Sequence, residues 1–287
     1  MEKKKLLLLG AAGMAGHMAY YYLQASGKYE ITNVAFRNKL TNDSILLDIT
    51  NQEATEALIK KTSPDIILNC IGVLIKDSKS HPDNAIYINA YFPHLLERLT
   101  ADSQTRLIHI STDCVFSGSK GDYSETDARD ADDVYGKSKG LGEVLNEKDL
   151  TIRTSIIGPE LKQHGEGLFH WFMNQKGNVN GYTEAYWSGV TTLELAKAID
   201  TAIEQNVTGL VHLTNGLKIS KYNLLKLFKK IRNKNTVTLQ PCESKRIDKS
   251  LLKSERFKYI VPSYQKMLDE QYKWMQLNND LYQDIYK

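Results

Sequence analysis

Over the first 155 residues, short apolar runs alternate with longer segments whose apolar positions recur every three to four residues. The runs at 5–10 (KLLLLG), 31–36 (ITNVAF), 44–48 (SILLD), 65–70 (DIILNC), 106–111 (RLIHIS) and 150–154 read as strands. The first lacks polar alternation, as a strand buried on both faces does. Helix-period segments at 14–26, 52–61, 83–100 and 135–147 lie between them. Gly27 closes the first helix, and Pro64 disfavours helical geometry at Ser63 and so ends the second. Strands alternating with helices predict βαβ units with right-handed crossovers, hence an α/β fold with a doubly wound parallel sheet.

Past residue 155 the regularity breaks. Between 158 and 190, glycines such as Gly158, Gly165, Gly167 and Gly189 are interleaved with Phe169, Trp171, Phe172, Tyr182, Tyr186 and Trp187, a mixture that suggests loops shaping a pocket. A clean helix returns at 191–205, a strand at 210–214 and an amphipathic helix at 220–232. The lysine-rich face of that last helix admits two readings: a membrane-surface or calmodulin-like helix, or a cover for the sheet with a solvated outer face. The tail from 264 to 287 reads as one or two surface helices.

Composition narrows the function classes. The chain has 287 residues, 41% hydrophobic and 25% charged, which is ordinary for a soluble globular protein and long enough for a sizeable core. A net charge of +3 supplies no field that would imply nucleic acid or a membrane surface as partner. Cys70, Cys114 and Cys242 are too few for a disulfide scaffold, and a reducing cytoplasm is the simplest location. No run approaches the length of a spanning helix. The basic start followed by Leu6–Leu9 resembles a secretory leader as well as a buried strand, and the residues after it decide between them.

Those residues are Gly10, Gly13 and Gly16, spaced by two between a strand and a helix. Gly10 permits the turn off the strand, Gly13 lets the backbone approach a pyrophosphate, and Gly16 lets the helix pack close. Met14 opens that helix, whose free N–H groups face the phosphates. The pattern predicts a Rossmann-type dinucleotide site, and a leader would have no reason to keep this spacing. Residues 1–155, with segments near 191–215 returning to them, then form the dinucleotide-binding core. Residues 156–287 form mainly a smaller substrate-binding region with C-terminal helices. After the second strand comes Arg37, where an NAD site would carry an acid. An arginine there pairs with a 2′-phosphate, so NADP(H) is the expected cofactor and NAD(H) the alternative; a plain solvated arginine is the competing reading of Arg37. Asp48 is placed to meet an adenine amino group or, alternatively, to cap the helix at 52–61. No metal is expected.

Tyr135 and Lys139 lie four residues apart on one helix and so share a face. A nearby ammonium lowers a tyrosine's pKa and lets it exchange a proton near neutral pH. Upstream, Ser111 and Thr112 close a strand whose end should face the same crevice; a hydroxyl there stabilises charge developing on a carbonyl oxygen. Cys114 beside them reads either as a reactive thiol or as a buried inert one.

The glycine spacing, the strand-end hydroxyls and Tyr-x-x-x-Lys together resemble the extended short-chain dehydrogenase/reductase family. The stretches STDCVFSG (111–118), YSETD (123–127), VYGKSKGLGE (134–143) and IRTS (152–155) resemble its dTDP-4-dehydrorhamnose reductase branch. The resemblance runs through about residues 4–215. It implies that Tyr135 gives a proton to a sugar ketone, that Lys139 binds the nicotinamide ribose and tunes Tyr135, and that Thr112, rather than Ser111, polarises the carbonyl. It further implies that Asn89 supports the lysine through water, with a buried structural amide as the alternative, and that Ile49, Cys70, Ile71 and Gly72 lie along the cofactor. Cys114, Val115, Phe116, Tyr186 and Trp187 would line the substrate pocket, with core packing the alternative for the aromatic residues; Trp171 is a further candidate, for which core packing is favoured. Cys114 stands where this branch usually has Tyr and where dehydratases have Glu, and Ile156 stands where the branch usually has Trp. A dehydratase is therefore disfavoured.

The function this implies is an NADPH-dependent reductase of a dTDP- or UDP-linked 4-keto-6-deoxy sugar, serving deoxysugar and surface-polysaccharide supply. A homodimer is compatible with it. An epimerase or epimerase-reductase is the first alternative and would need an extra base, for which His164 and His170 are the loop candidates. A non-catalytic NADP-binding regulatory subunit is the second.

Overall fold

The computed structural model describes residues 2–286. The first half of the chain gives β1 (Lys4–Leu9), α1 (Met14–Ser26), β2 (Tyr29–Ala35), β3 (Ile45–Leu46), α2 (Gln52–Thr62), β4 (Ile66–Asn69), α3 (Ile75–Ser80), α4 (Pro82–Ala85), α5 (Phe92–Thr100), β5 (Arg106–Thr112), α6 (Val134–Leu141) and β6 (Leu150–Thr154). Then come β7 (Ile156–Ile157), α7 (Leu168–Met173), β8 (Gly177–Tyr182), β9 (Ala185–Trp187), β10 (Val190–Thr191), α8 (Thr192–Glu204), β11 (Gly209–His212), β12 (Ile219–Ser220), α9 (Lys221–Ile231), β13 (Val237–Cys242), β14 (Ile247–Asp248) and α10 (Tyr264–Leu277).

Seven strands form one sheet in the order β3-β2-β1-β4-β5-β6-β11, with every neighbouring pair parallel. The order reverses between β1 and β4, and in such sheets ligands bind in the crevice outside the carboxyl ends of the strands at that switch. Leu6–Leu9 are each at most 1% exposed, so the leucine run is a central strand covered on both faces. One face carries Met18, Leu23, Leu195 and Ile199 from α1 and α8, and the other carries Leu58, Phe92 and Leu96 from α2 and α5. The chain therefore returns to the sheet after residue 190, with α8 packed on α1 and β11 at the sheet edge.

Local rules fix most boundaries. Gly27 takes a left-handed φ of 72° and its N–H closes onto Gln24. Ser63, held off helical geometry by Pro64, also turns left-handed, with φ 40°. Two helices depart from the periodicity. The helix expected over 83–100 is interrupted by a π-turn at Ile86–Tyr91, whose extra residue turns Asn89 inward. The helix expected to reach 147 ends at Leu141. There Gly142 lies against the Asn89 backbone, where a Cβ would stand 1.9 Å from the carbonyl oxygen. Glu143 then turns inside to Arg153, with Nη2 to Oε2 at 2.6 Å.

The remaining elements make small pairs outside the main sheet: β7 with β10, β8 with β13, and β9 between β12 and β14. The lysine-rich helix α9 buries Leu224, Leu225 and Phe228, as the covering reading requires. The tail is not a surface appendage. Met267, Leu268 and Met275 of α10 join the main core, and Tyr282 and Tyr286 beyond it are buried. Among the described residues, no helix is long and apolar enough to cross a membrane.

Candidate active site

The glycine turn sits at the carboxyl end of β1. Gly10 has φ 82°, and the Gly13 N–H bonds back to the Gly10 carbonyl at 3.0 Å. A Cβ on Gly16 would stand 2.1 Å from that same carbonyl oxygen, and one on Gly13 would stand 3.2 Å from it. Side chains there would therefore push α1 off the turn, and the free N–H groups of its first turn suit a phosphate. These residues fit a dinucleotide.

Two groups behind the turn were missed in the sequence. His17 is fully buried, and burial pushes its pKa down to about 4, so the ring is neutral. Its Nδ1 lies 2.8 Å from the Gly13 carbonyl oxygen, which can only accept, so Nδ1 carries the hydrogen and Nε2 accepts from the Tyr282 hydroxyl at 2.8 Å. Tyr286 reaches the other wall. Its hydroxyl accepts from the Glu160 N–H at 2.8 Å and meets His170 Nδ1 at 2.9 Å, while Glu160 Oε1 accepts from the Gly167 N–H at 2.7 Å. The last turns of the chain thus pin both the glycine turn and the 158–167 loop.

Arg37 lies two residues beyond the end of β2, exposed, with its guanidinium 4.9 Å from the centre of the Phe36 ring. Asp48 is exposed as well. Its Oδ1 accepts from the N–H and hydroxyl of Thr50, and the cap of α2 is Asn51, whose Oδ1 accepts from the Ala54 N–H at 3.0 Å. The capping alternative for Asp48 is therefore corrected: the helix starts at Gln52, three residues later than that role needs. Ile49 is buried in the sheet core, and Cys70, Ile71 and Gly72 follow β4 at the switch point, with burial raising the Cys70 thiol to about 12.

The first turn of α6 packs against the segment that follows β5, where a Cβ on Gly136 would stand 2.2 Å from the Cys114 carbonyl oxygen. The Thr112 hydroxyl donates to Asp113 Oδ1 at 3.2 Å, accepts from the Cys114 N–H at 3.1 Å and acts to lower the Tyr135 pKa, while Ser111 instead donates to Glu143 at 2.7 Å in a cluster with Arg153 and Arg129. That separation favours Thr112 over Ser111. Tyr135 is held above the ordinary tyrosine range, first by burial and then by Cys114. The sequence expectation that an ammonium lowers it fails in this state. Lys139 is buried, its own pKa pushed down by burial to about 8, and its Nζ turns to the Ile110 carbonyl at 2.7 Å and to His109 Nε2 at 3.2 Å.

Asn89 makes its direct hydrogen bonds to Val73 and Ser138: its Oδ1 accepts from the Val73 N–H at 2.9 Å, and its Nδ2 donates to the Val73 carbonyl and to Ser138. The group against the lysine is His109, and its only sequence signal was a histidine inside an otherwise apolar strand.

The pocket aromatics divide. Val115 and Phe116 are fully buried, Phe116 stacked on Tyr123 with ring centres 4.0 Å apart and lying under Arg153, so neither lines an open pocket. Trp187 is 6% exposed and packs on Tyr264, which makes it core as well. The apolar neighbours in each case outcompete a ligand-facing position. Trp171, expected in the core, is 41% exposed on the short helix α7. Cys114 stays beside Tyr135, half-buried, with burial raising its thiol to about 12, so the inert reading holds. Tyr186 is half-buried, with Lys218 Nζ and Arg246 Cζ each 5.8 Å from its ring centre. His170, a candidate extra base, is buried and occupied by Tyr286 and the Gln163 carbonyl.

A family model described as the RmlD substrate binding domain matches residues 4–272. A dTDP-4-dehydrorhamnose reductase of Aggregatibacter actinomycetemcomitans is 32% identical over 157 residues, 53% of this chain and 51% of that protein, so the match spans about half of that relative. The spore coat polysaccharide biosynthesis protein SpsK of Bacillus subtilis is 32% identical over 229 residues, covering 74% of this chain and 73% of that one. In fold, the chain resembles the crystal structure of dTDP-4-dehydrorhamnose reductase from Bacillus anthracis in complex with NADP. The TM-score is 0.81 at 22% identity, over 95% of this chain and 100% of that one.

Proposed function

Because the chain belongs to the RmlD substrate binding domain family, we propose that it is an NADPH-dependent reductase of a nucleotide-linked 4-keto-6-deoxy sugar. The sugar would be dTDP- or UDP-linked, and the step would serve deoxysugar supply for surface polysaccharide. The observation that carries this reading is the close approach of the first turn of α6 to the segment after β5, where a Cβ on Gly136 would stand 2.2 Å from the Cys114 carbonyl oxygen, which sets Tyr135 beside the end of the Thr112 strand with Lys139 one turn along α6. The family names of the two curated relatives and the NADP complex of the B. anthracis enzyme support it.

The dinucleotide supplies the hydride when bound. Gly10, Gly13, Met14 and Gly16 would hold its pyrophosphate and Arg37 the 2′-phosphate, with Asp48 and Ile49 toward the adenine and Cys70, Ile71 and Gly72 along its length. Thr112 would donate a hydrogen bond to the ketone oxygen as negative charge develops there. Tyr135, held protonated by burial, is in the state a proton donor requires, and it would pass its proton to that oxygen. Cys114 and Tyr186 would meet the sugar nucleotide. In this reading residues 1–155 with 191–215 bind the dinucleotide, and the rest mainly binds the substrate. The epimerase alternative keeps only the exposed His164 as its extra base, because His170 is committed to Tyr286.

The test is NADPH oxidation with a panel of dTDP- and UDP-linked 4-keto-6-deoxy sugars. Turnover of at least one is expected, and Tyr135→Phe should lower kcat by about 10²–10⁴-fold with NADPH binding retained. Turnover unaffected by Tyr135→Phe overturns the mechanism, and absence of turnover across the panel with intact NADPH binding favours the regulatory-subunit reading.

A further inference from the structure

A chain of buried hydrogen bonds runs from the end of β4 to Lys139, and one of its members has a polarity that cannot change. The backbone N–H of Ile71 points at Asn69 Oδ1, at 3.1 Å. A backbone N–H only donates, so the oxygen of the Asn69 amide is committed to it and the Nδ2 end faces outward. That Nδ2 lies 3.1 Å from His109 Nδ1, so Nδ1 must accept. A neutral imidazole that accepts at Nδ1 carries its hydrogen on Nε2. Nε2 lies 3.2 Å from Lys139 Nζ. An ammonium has three donors and no acceptor, whereas an amine has a lone pair to receive this hydrogen. The same nitrogen donates to the Ile110 carbonyl at 2.7 Å and keeps one N–H for a ligand.

We infer that His109, oriented by Asn69, is a positioning residue that at alkaline pH holds Lys139 as an uncharged amine in the dinucleotide-free protein, so that binding a dinucleotide there takes up one proton at Lys139 from solvent. The inference rests on the reading of Lys139 as the ribose-binding lysine. A dinucleotide brings hydroxyl acceptors and phosphate charge into the crevice, and both favour the ammonium form. Its ribose oxygens would draw Nζ off His109 and remove the donor-to-donor conflict. The proton comes from bulk water and no other bond changes.

The other groups around the lysine agree with this assignment. His109 is buried and its pKa is driven well down by burial first and by Lys139 second, so the ring stays neutral. Cys70, after β4, is a thiol held neutral by burial. Glu143, just past α6, favours the ammonium, but its oxygens are shared among Arg153, Arg129 and Ser111. Tyr135, one turn earlier on α6, is held protonated by burial and adds no charge. Burial remains the largest influence on Lys139 and lowers it to about 8.

Two measurements test the inference. In ligand-free protein labelled with ¹⁵N-histidine, long-range ¹⁵N–¹H correlation at pH 9 should show His109 with its hydrogen on Nε2, the resonance being identified by its loss in His109→Gln. An Nδ1–H tautomer or an imidazolium overturns the inference whether or not a dinucleotide binds. Calorimetry of NADPH binding in buffers of different ionisation enthalpy should show uptake of nearly one proton per chain at pH 9 and a small fraction of one at pH 7. Asn69→Asp supplies a carboxylate that accepts from both Ile71 and His109 Nδ1, which reverses the imidazole and leaves Nε2 to accept from an ammonium. Uptake at pH 9 should then fall, and His109→Gln, whose Oε1 accepts from the ammonium, should lower it too if Asn69→Asp does not fold. NADPH binding with no uptake, or uptake unchanged in a folded variant, overturns the inference while leaving the reductase reading intact. Failure of NADPH to bind at all counts against the reductase reading instead, and the tautomer measurement still decides the role of His109.

Discussion

Single residues set the chemistry. Tyr135 and Thr112 are placed by local sequence: one is in the first turn of α6, the other is the last residue of β5. What the spacing could not convey is the charge they meet. The i and i+4 positions put Tyr135 and Lys139 on one face, yet burial raises the first and lowers the second. Arg37 is the residue on which cofactor choice turns. It is exposed and paired with the Phe36 ring alone among its aromatic neighbours, so its guanidinium is available to a phosphate. Arg37→Ala should weaken NADPH binding about tenfold or more, on the order of 1.4 kcal/mol, and leave NADH nearly unchanged. Fluorescence titration with both nucleotides reads this directly, and equal losses would remove the 2′-phosphate contact.

Elements position those residues, and here the last turns of the chain matter most. Residues beyond 240 carried no assigned role in the sequence, but Tyr282 holds His17 under the glycine turn and Tyr286 holds Glu160 and His170 at the loop opposite. Tyr282→Phe removes one buried hydrogen bond and leaves His17 Nε2 without its donor. It should destabilise the protein by about 1–3 kcal/mol and raise the dissociation constant for NADPH. Urea unfolding and nucleotide titration on the same preparation check both, and a loss of stability with unaltered nucleotide affinity would show that the tail braces the core alone. The short α6 has a comparable lesson. Its helical pattern continues past Leu141, but the Glu143 carboxylate is satisfied only by turning in to Arg153, and an ionised group inside a protein requires such partners.

The whole molecule carries several buried rings that must stay neutral. His17 is held at about 4, His212 at about 3, and His109 well below its ordinary value, each chiefly by burial. In the unfolded chain these histidines take up protons near pH 6.5. Between that pH and the depressed native values the unfolded state binds more protons than the native state, so stability falls as pH falls. The slope is about 1.4 kcal/mol per pH unit for each histidine that titrates. Urea unfolding at pH 7 and pH 5 should show this loss, and equal stability at the two would mean the rings are charged in the native state.

By itself, the sequence determined the parallel α/β sheet, the glycine turn, and the strand-end Thr112 with the helical Tyr135 and Lys139. All of these follow from short-range periodicity, backbone sterics and fixed spacing along one element. Tertiary structure alone decided that Phe116 and Trp187 belong to the core while Trp171 stands in solvent, that Asn89 is tied to Val73, and that His109 faces Lys139. Those outcomes depend on which distant segments meet and on how much water their meeting removes. A residue's charge and its partners are set by that desolvation, and no local pattern along the chain encodes it.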